Sequence, residues 1–225
     1  MIMSKLLTGI LMSVTALCAT AQTSVDTLAT APGEAGSPWG LNLGFELAIP
    51  SGSHGQWHTG SGAVLTGHYT LPLGARWYLE PALAVYYNTL GNDYMYSDGY
   101  IYDGTVKNVG LRVPLTVGYR LDVSETLTLN LATGPWLNVN VFARQYGMPD
   151  TGAEEPVPHS VNLFRHGFRY AELLWGLRLS ATFSEHYVVG FSAGVGLTPM
   201  AKSVIQDQTR HIRRNTVALL LGYKF

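Results

Sequence analysis

The stretch Val217-Ala218-Leu219-Leu220-Leu221-Gly222-Tyr223-Lys224-Phe225 decides how the chain folds. Val217, Leu219, Leu221, Tyr223 and Phe225 share one parity, and Ala218, Leu220, Gly222 and Lys224 share the other. Successive side chains of a β-strand point to opposite faces. The stretch therefore predicts a strand with one continuous apolar face and one mixed face of smaller residues. Terminal residues usually loosen into water. An apolar face that runs to Phe225 predicts a last strand held against apolar surroundings to its final residue.

The same period recurs upstream. Trp39, Leu41, Leu43, Phe45, Leu47 and Ile49 alternate with Gly40, Asn42, Gly44, Glu46 and Ala48. Comparable runs centre on Leu65–Leu71, Trp77–Tyr87, Val109–Tyr119, Leu127–Val141, Leu173–Phe183 and Tyr187–Leu197, which with the closing run make eight. Their connections sort by length. Pro50–Ser61, Thr89–Val106, Arg144–His166 and Pro199–Arg213 are long, whereas Pro72–Ala75, Asp122–Thr126 and Ser184–His186 are short. Short turns on one rim and long loops on the other predict an all-β fold: an eight-stranded antiparallel up-and-down transmembrane β-barrel, with short periplasmic turns and long extracellular loops.

The polar face sets the orientation. A strand surface in water carries many Lys and Glu. Here that face is mostly Gly, Asn, Ser, Thr and Ala with isolated charges, which suits a crowded lumen. Charged residues make up 13 % of the 225 residues, against roughly a quarter in soluble proteins. A charge facing lipid costs roughly 2–4 kcal/mol at the midplane, and the central apolar stretches hold none. The apolar stripe is therefore assigned to lipid.

Residues 1–21 read as a cleaved signal peptide: Lys5, the apolar run Leu6–Ala19, then Ala19-Thr20-Ala21. Cys18, the only cysteine, lies inside it. Residues 22–37 read as a flexible leader and 38–225 as the barrel. An exported chain of this kind is expected in the outer membrane, with membrane lipid as a partner. The net charge of −1 leaves no nucleic-acid footprint.

Candidate sites follow from the two faces. Glu46, Glu80 and Glu172 are expected to face Arg112 and Arg178 in a lumen just wide enough for side chains. An ion-pair network that fills the barrel is the structural reading, and a proton or ion path the functional one. Trp136, Tyr78, Tyr86 and Phe142 are placed inward as well, so no open pore is expected. Trp39, Tyr69, Trp77, Tyr119, Phe183, Tyr187, Tyr223 and Phe225 group near the short-turn rim and predict a periplasmic aromatic belt.

The loops offer recognition surfaces. Tyr94, Tyr96, Tyr100 and Tyr102 are interleaved with Asp93, Asp98 and Asp103. They predict a protein- or glycan-binding loop or a plain continuation of two strands. Arg210, His211, Arg213 and Arg214 predict contact with anionic head groups or sugar phosphates, or else a solvated loop. His54 and His58 lack a third ligand, so neither a metal nor a cofactor is expected. No phosphate loop, nucleophile elbow or cysteine–histidine pair occurs, and no catalytic residue is assigned. A structural or interaction role is expected: envelope integrity, adhesion, or a subunit of an envelope assembly. A lipid-modifying or proteolytic loop site and a narrow channel are the alternatives.

Gly222-Tyr223-Lys224-Phe225 resembles the C-terminal signal of bacterial outer-membrane barrels, which implies recognition by the barrel-insertion machinery. YLEPALAVYYNT (Tyr78–Thr89) and LRVPLTVGYRL (Leu111–Leu121) resemble the PorT-type small outer-membrane β-barrel family of Bacteroidota. That resemblance implies a Gram-negative outer-membrane barrel and fixes no activity.

Overall fold

The computed structural model describes residues 37–52, 57–97, 100–149, 159–205 and 208–225. Eight strands form the wall: β1 (Trp39–Ser51), β2 (Gly60–Tyr69), β3 (Trp77–Ser97), β4 (Tyr100–Ser124), β5 (Leu127–Pro149), β6 (Ala171–Phe183), β7 (Tyr187–Gly196) and β8 (Gln208–Lys224). Each pairs antiparallel with the one before it, and β8 pairs with β1 to close the ring. The seam runs from Gly40 opposite Lys224 to Ser51 opposite Arg213. The Phe225 N–H donates to the Trp39 carbonyl at 3.0 Å, so the ladder continues to the last residue.

The alternation read from the sequence becomes two physical surfaces. On β1, Gly40, Asn42, Gly44, Glu46 and Ala48 are buried, while Trp39, Leu41, Leu43 and Phe45 are exposed. On β8, Leu219 and Leu221 are 64 % and 67 % exposed. Water would not tolerate a continuous jacket of such residues around a whole barrel. Trp39 and Ile49 bound the outward apolar run of β1. At about 3.4 Å per residue and a tilt near 40°, that run is about 26 Å tall, close to the roughly 25 Å apolar band of a membrane barrel. The chain is thus an eight-stranded barrel of the outer-membrane type, its outward face in lipid.

Glycine lets the lumen fit its large side chains. The Trp136 indole lies against β6 and β7 where a Cβ at Gly176 or Gly194 would overlap it. Tyr78 similarly occupies the space beside Gly118.

Two sequence expectations change, and one left open is decided. Thr89–Val106 follows the second of its two readings, a plain continuation of strands: β3 and β4 stay paired to Ser97 opposite Tyr100. Pro199–Arg213 is likewise a hairpin, formed by a short strand Pro199–Ile205 along β8. The ladder bonds that satisfy the backbone simply continue above the apolar band. Phe142 is not inward. The β4–β5 register passes from Gly110 opposite Asn140 to Val109 opposite Phe142, leaving Val141 as a bulge. The extra residue inverts the parity of β5 beyond it. Ala143 and Gln145 are therefore buried, and Phe142 and Arg144 exposed.

Leu219 lies between Phe45 and Phe191 on the outer wall. Leu219→Arg is expected to destabilise the barrel in lipid vesicles by roughly 2–4 kcal/mol, read from the urea midpoint. A variant that stays equally stable and becomes freely soluble would show that this face meets water.

Candidate functional site

The lumen is built in layers by inward positions of the strands. In the middle layer, Arg112 of β4 meets Glu46 of β1 through two bonds, Nη1 to Oε2 at 2.6 Å and Nη2 to Oε1 at 3.0 Å. Its Nε donates to Asn138 Oδ1 at 2.9 Å, and Asn88 Nδ2 donates to Glu46 Oε1 at 3.0 Å. Tyr86 and Trp136 present their rings to the guanidinium at 5.1 and 5.2 Å. A buried ion must be both paired and hydrogen-bonded to be tolerated, and this pair meets both conditions.

Toward the short-turn rim, Arg178 of β6 pairs with Glu80 of β3, with Nη2 donating to Oε2 at 2.5 Å. Asn42 and His68 hydrogen-bond beside them at 3.2 Å. Toward the long-loop rim, Arg214 of β8 pairs with Glu172 of β6 at 3.1 Å. Asn140 joins this layer to the one below. Its Nδ2 donates to Glu172 Oε1 at 2.5 Å, and its Oδ1 accepts from the Tyr86 hydroxyl at 2.6 Å. Tyr86 faces Arg112 and also Arg214, whose Cζ is 5.5 Å from its ring.

The predicted lumen residues are thus together, with a different pairing. Glu172 was expected opposite Arg112 or Arg178, and its partner is Arg214. Arg214 lies within β8 rather than in an outer loop: Ala218, Thr216, Arg214 and Ile212 form one buried parity along the strand. That parity continues upstream of Val217 in the sequence itself.

Above the upper ion pair the lumen changes character. Ala48, Leu90, Val106, Ala143 and Ile212 turn inward from five strands. Trp57, Leu163, Phe168, Met200 and Ala201 fill the space between them from the connections. One turn of 3₁₀ helix, Leu163–His166, shapes this cap. The Asn162 side chain accepts from the Phe164 N–H at its start, and Gly167 ends it at φ 90°. Lys202 N–H donates to the Gly167 carbonyl and Arg169 N–H to the Met200 carbonyl, tying the cap to the Pro199–Ile205 strand. Below the cap a cavity of about 40 Å³ lies among Asn42, Thr66, Glu80, Thr116, Trp136 and Arg178. It has room for at most a few water molecules.

The aromatic residues of the short-turn rim form contacting groups. Trp39 meets Tyr69 edge-on at 4.7 Å, and Trp77 meets Tyr119 at 5.1 Å. Tyr223 touches both Tyr187, at 5.7 Å, and Phe225, at 5.4 Å. Phe183 pairs with Tyr187 across the β6–β7 ladder. Arg213 is exposed on the outer face of β8. The side chains of Tyr94, Tyr96, Tyr100, Tyr102 and Arg210, and all of His54, lie outside the described residues, as do residues 1–36.

No protein-family model and no curated protein matches the chain. Solved structures similar to it include three small barrels. Ail, the attachment invasion locus protein of Yersinia pestis, is 16 % identical with a TM-score of 0.42, covering 84 % of this chain and 99 % of its own. Neisserial surface protein A is 13 % identical with a TM-score of 0.42, covering 85 % and 100 %. The outer membrane protein OprG of Pseudomonas aeruginosa is 14 % identical with a TM-score of 0.44, covering 84 % and 97 %. The assignment of fold rests on this chain's own closed ring and apolar jacket.

Removing one partner of a buried pair strands the other charge, at about 3–5 kcal/mol, whereas replacing both with well-packed apolar residues of similar size is often close to neutral. Arg112→Met is expected to destabilise the barrel by that amount in urea titrations, and Glu46→Leu added to it to recover most of the loss. A double variant as unstable as the single one would show that the pair does not set the cost.

Proposed function

We propose that this chain is exported by residues 1–21, inserted through β8 by the barrel-insertion machinery, and serves as a non-conducting scaffold of the outer membrane. Its role is structural and interactive: envelope integrity, adhesion, or membership of an envelope assembly. One observation carries the reading. The lumen is blocked twice, by three layers of paired charges and by an apolar cap over them. A transport path needs a continuous polar channel, and a narrow barrel filled in this way offers none. What remains for function is the outer surface.

The wall favours display at its tips. β3 and β4 extend as one hairpin to Ser97 and Tyr100, well past the apolar jacket. Tyr94, Tyr96, Tyr100 and Tyr102 belong to this hairpin, and tyrosine-rich tips suit contact with protein or glycan. The PorT-type affiliation belongs to the same proposal. It is supported by the segments Tyr78–Thr89 of β3 and Leu111–Leu121 of β4, which lie side by side in the wall.

The wild-type protein is expected to give no discrete conductance in planar bilayers; steady single-channel steps would overturn the sealed-lumen reading. A photo-crosslinking residue in place of Tyr100 is expected to capture a specific partner from intact cells, and one in place of Glu125 at the opposite rim to capture none. Identical adducts from both positions would overturn display at the hairpin tip.

A further inference from the structure

Lys107 of β4 and Arg144 of β5 are direct partners across the ladder, and both are exposed on the outer wall. They occupy the first outward row above the apolar jacket, because Tyr87, Val109 and Phe142 form the row just below. Directly opposed side chains stand about 4.5–5.5 Å apart at Cβ, and like charges so placed repel.

The row itself does not neutralise them. Thr89 stands opposite Lys107 and Asn162 opposite Arg144. The Thr89 hydroxyl donates to the Ser61 carbonyl at 2.9 Å, and the Asn162 side chain caps Phe164. The two cations are steadied by rings. Lys107 Nζ lies 5.0 Å from the Tyr146 centroid, and Arg144 Cζ lies 5.8 Å from that of Phe142. Among the described residues, the exposed acidic side chains, Asp122, Glu125 and Glu185, belong to the short-turn end. Among the described residues, the exposed Lys and Arg side chains of the capped end are Lys107, Arg144, Arg165, Lys202 and Arg213. Asp103, the next acid along β4, is four residues farther from the membrane than Lys107, about 13 Å along the strand.

We infer that Lys107 and Arg144 form a clip for the phosphate of a phosphorylated membrane lipid in the leaflet at the capped end. An anion between the two cations turns their repulsion into two charge-assisted contacts. The occupant is a lipid because of where the clip sits. Its acyl chains would run down Tyr87, Val109, Phe142 and Leu111, while its phosphate meets the first cations above them. The clip rests on the barrel spanning a membrane and not on the proposed scaffold role.

The test is native mass spectrometry of the full-length barrel, folded in detergent and titrated with phosphatidic acid or with diacylglycerol of the same acyl chains. Heat-modifiable gel mobility first checks that each protein is a folded barrel, and failure of the wild type at that step sinks the barrel reading rather than the clip. Wild type is expected to prefer phosphatidic acid over diacylglycerol. Lys107→Gln with Arg144→Gln is expected to weaken phosphatidic acid binding about 30-fold, since each cation near a membrane surface contributes about fivefold. Lys202→Gln, at an exposed cation of the same end, is expected to leave it unchanged. Should the double variant not fold, Lys107→Gln alone is expected to show about a fivefold loss. Equal binding by wild type and variant, or a loss with Lys202→Gln instead, overturns the site. Displacement of the lipid by millimolar inorganic phosphate overturns the lipid and leaves a free-anion site.

Discussion

Hydrocarbon offers no hydrogen bonds, so every backbone N–H and C=O that crosses it must find a partner within the protein. A sheet meets that demand only by closing, and the β1–β8 seam is where this chain closes. Much else follows. Eight strands enclose a space barely wider than the side chains that fill it. Inward positions must then be small or interlock with a neighbour, which is why Trp136 lies over Gly176 and Gly194 and Tyr78 beside Gly118. The bond from Phe225 to Trp39 completes the seam at the rim where the aromatic residues gather.

The interior has two regimes. Within the apolar jacket the lumen is polar, and three glutamates are balanced by three arginines. Beyond the jacket the same wall meets water, and its polarity inverts: Leu90, Val106, Ala143 and Ile212 turn inward while Lys107, Arg144 and Arg213 turn outward. The capped end is organised like an ordinary soluble core, with apolar side chains inside and charges outside. The bulge at Val141 is the device that lets β5 serve both regimes, because it sets Asn140 and Ala143 on the same inner face.

The parts of this architecture that repeat every second residue were legible in the sequence. Eight runs, the alternation of long and short connections, the lumen carboxylates and the aromatic rim all follow from period and loop length. What escaped depended on where the period stops or slips. Val141-Phe142 sets two apolar residues side by side, and that break was the trace of the bulge; read as unbroken alternation, it sent Phe142 inward. Arg214 looked like one more loop cation beside Arg213, because basic residues in a row suggest solvent. Its partner Glu172 is 42 residues away in sequence on another strand, and no local pattern could join them. The apolar cap escaped for a related reason: Trp57, Phe168 and Met200 come from different connections and meet only once the wall has formed.

The three buried ion pairs have a bearing on how the barrel comes to exist. Glu46–Arg112 joins β1 to β4, Glu80–Arg178 joins β3 to β6, and Glu172–Arg214 joins β6 to β8. None joins strands that are neighbours in a hairpin. A flat sheet, or a few hairpins inserted one at a time, would therefore hold every one of these charges without its counterpart. They neutralise one another only as the sheet curls up. Half-assembled forms are penalised in proportion to the charges they strand, which favours a late, concerted passage into the bilayer over stepwise entry.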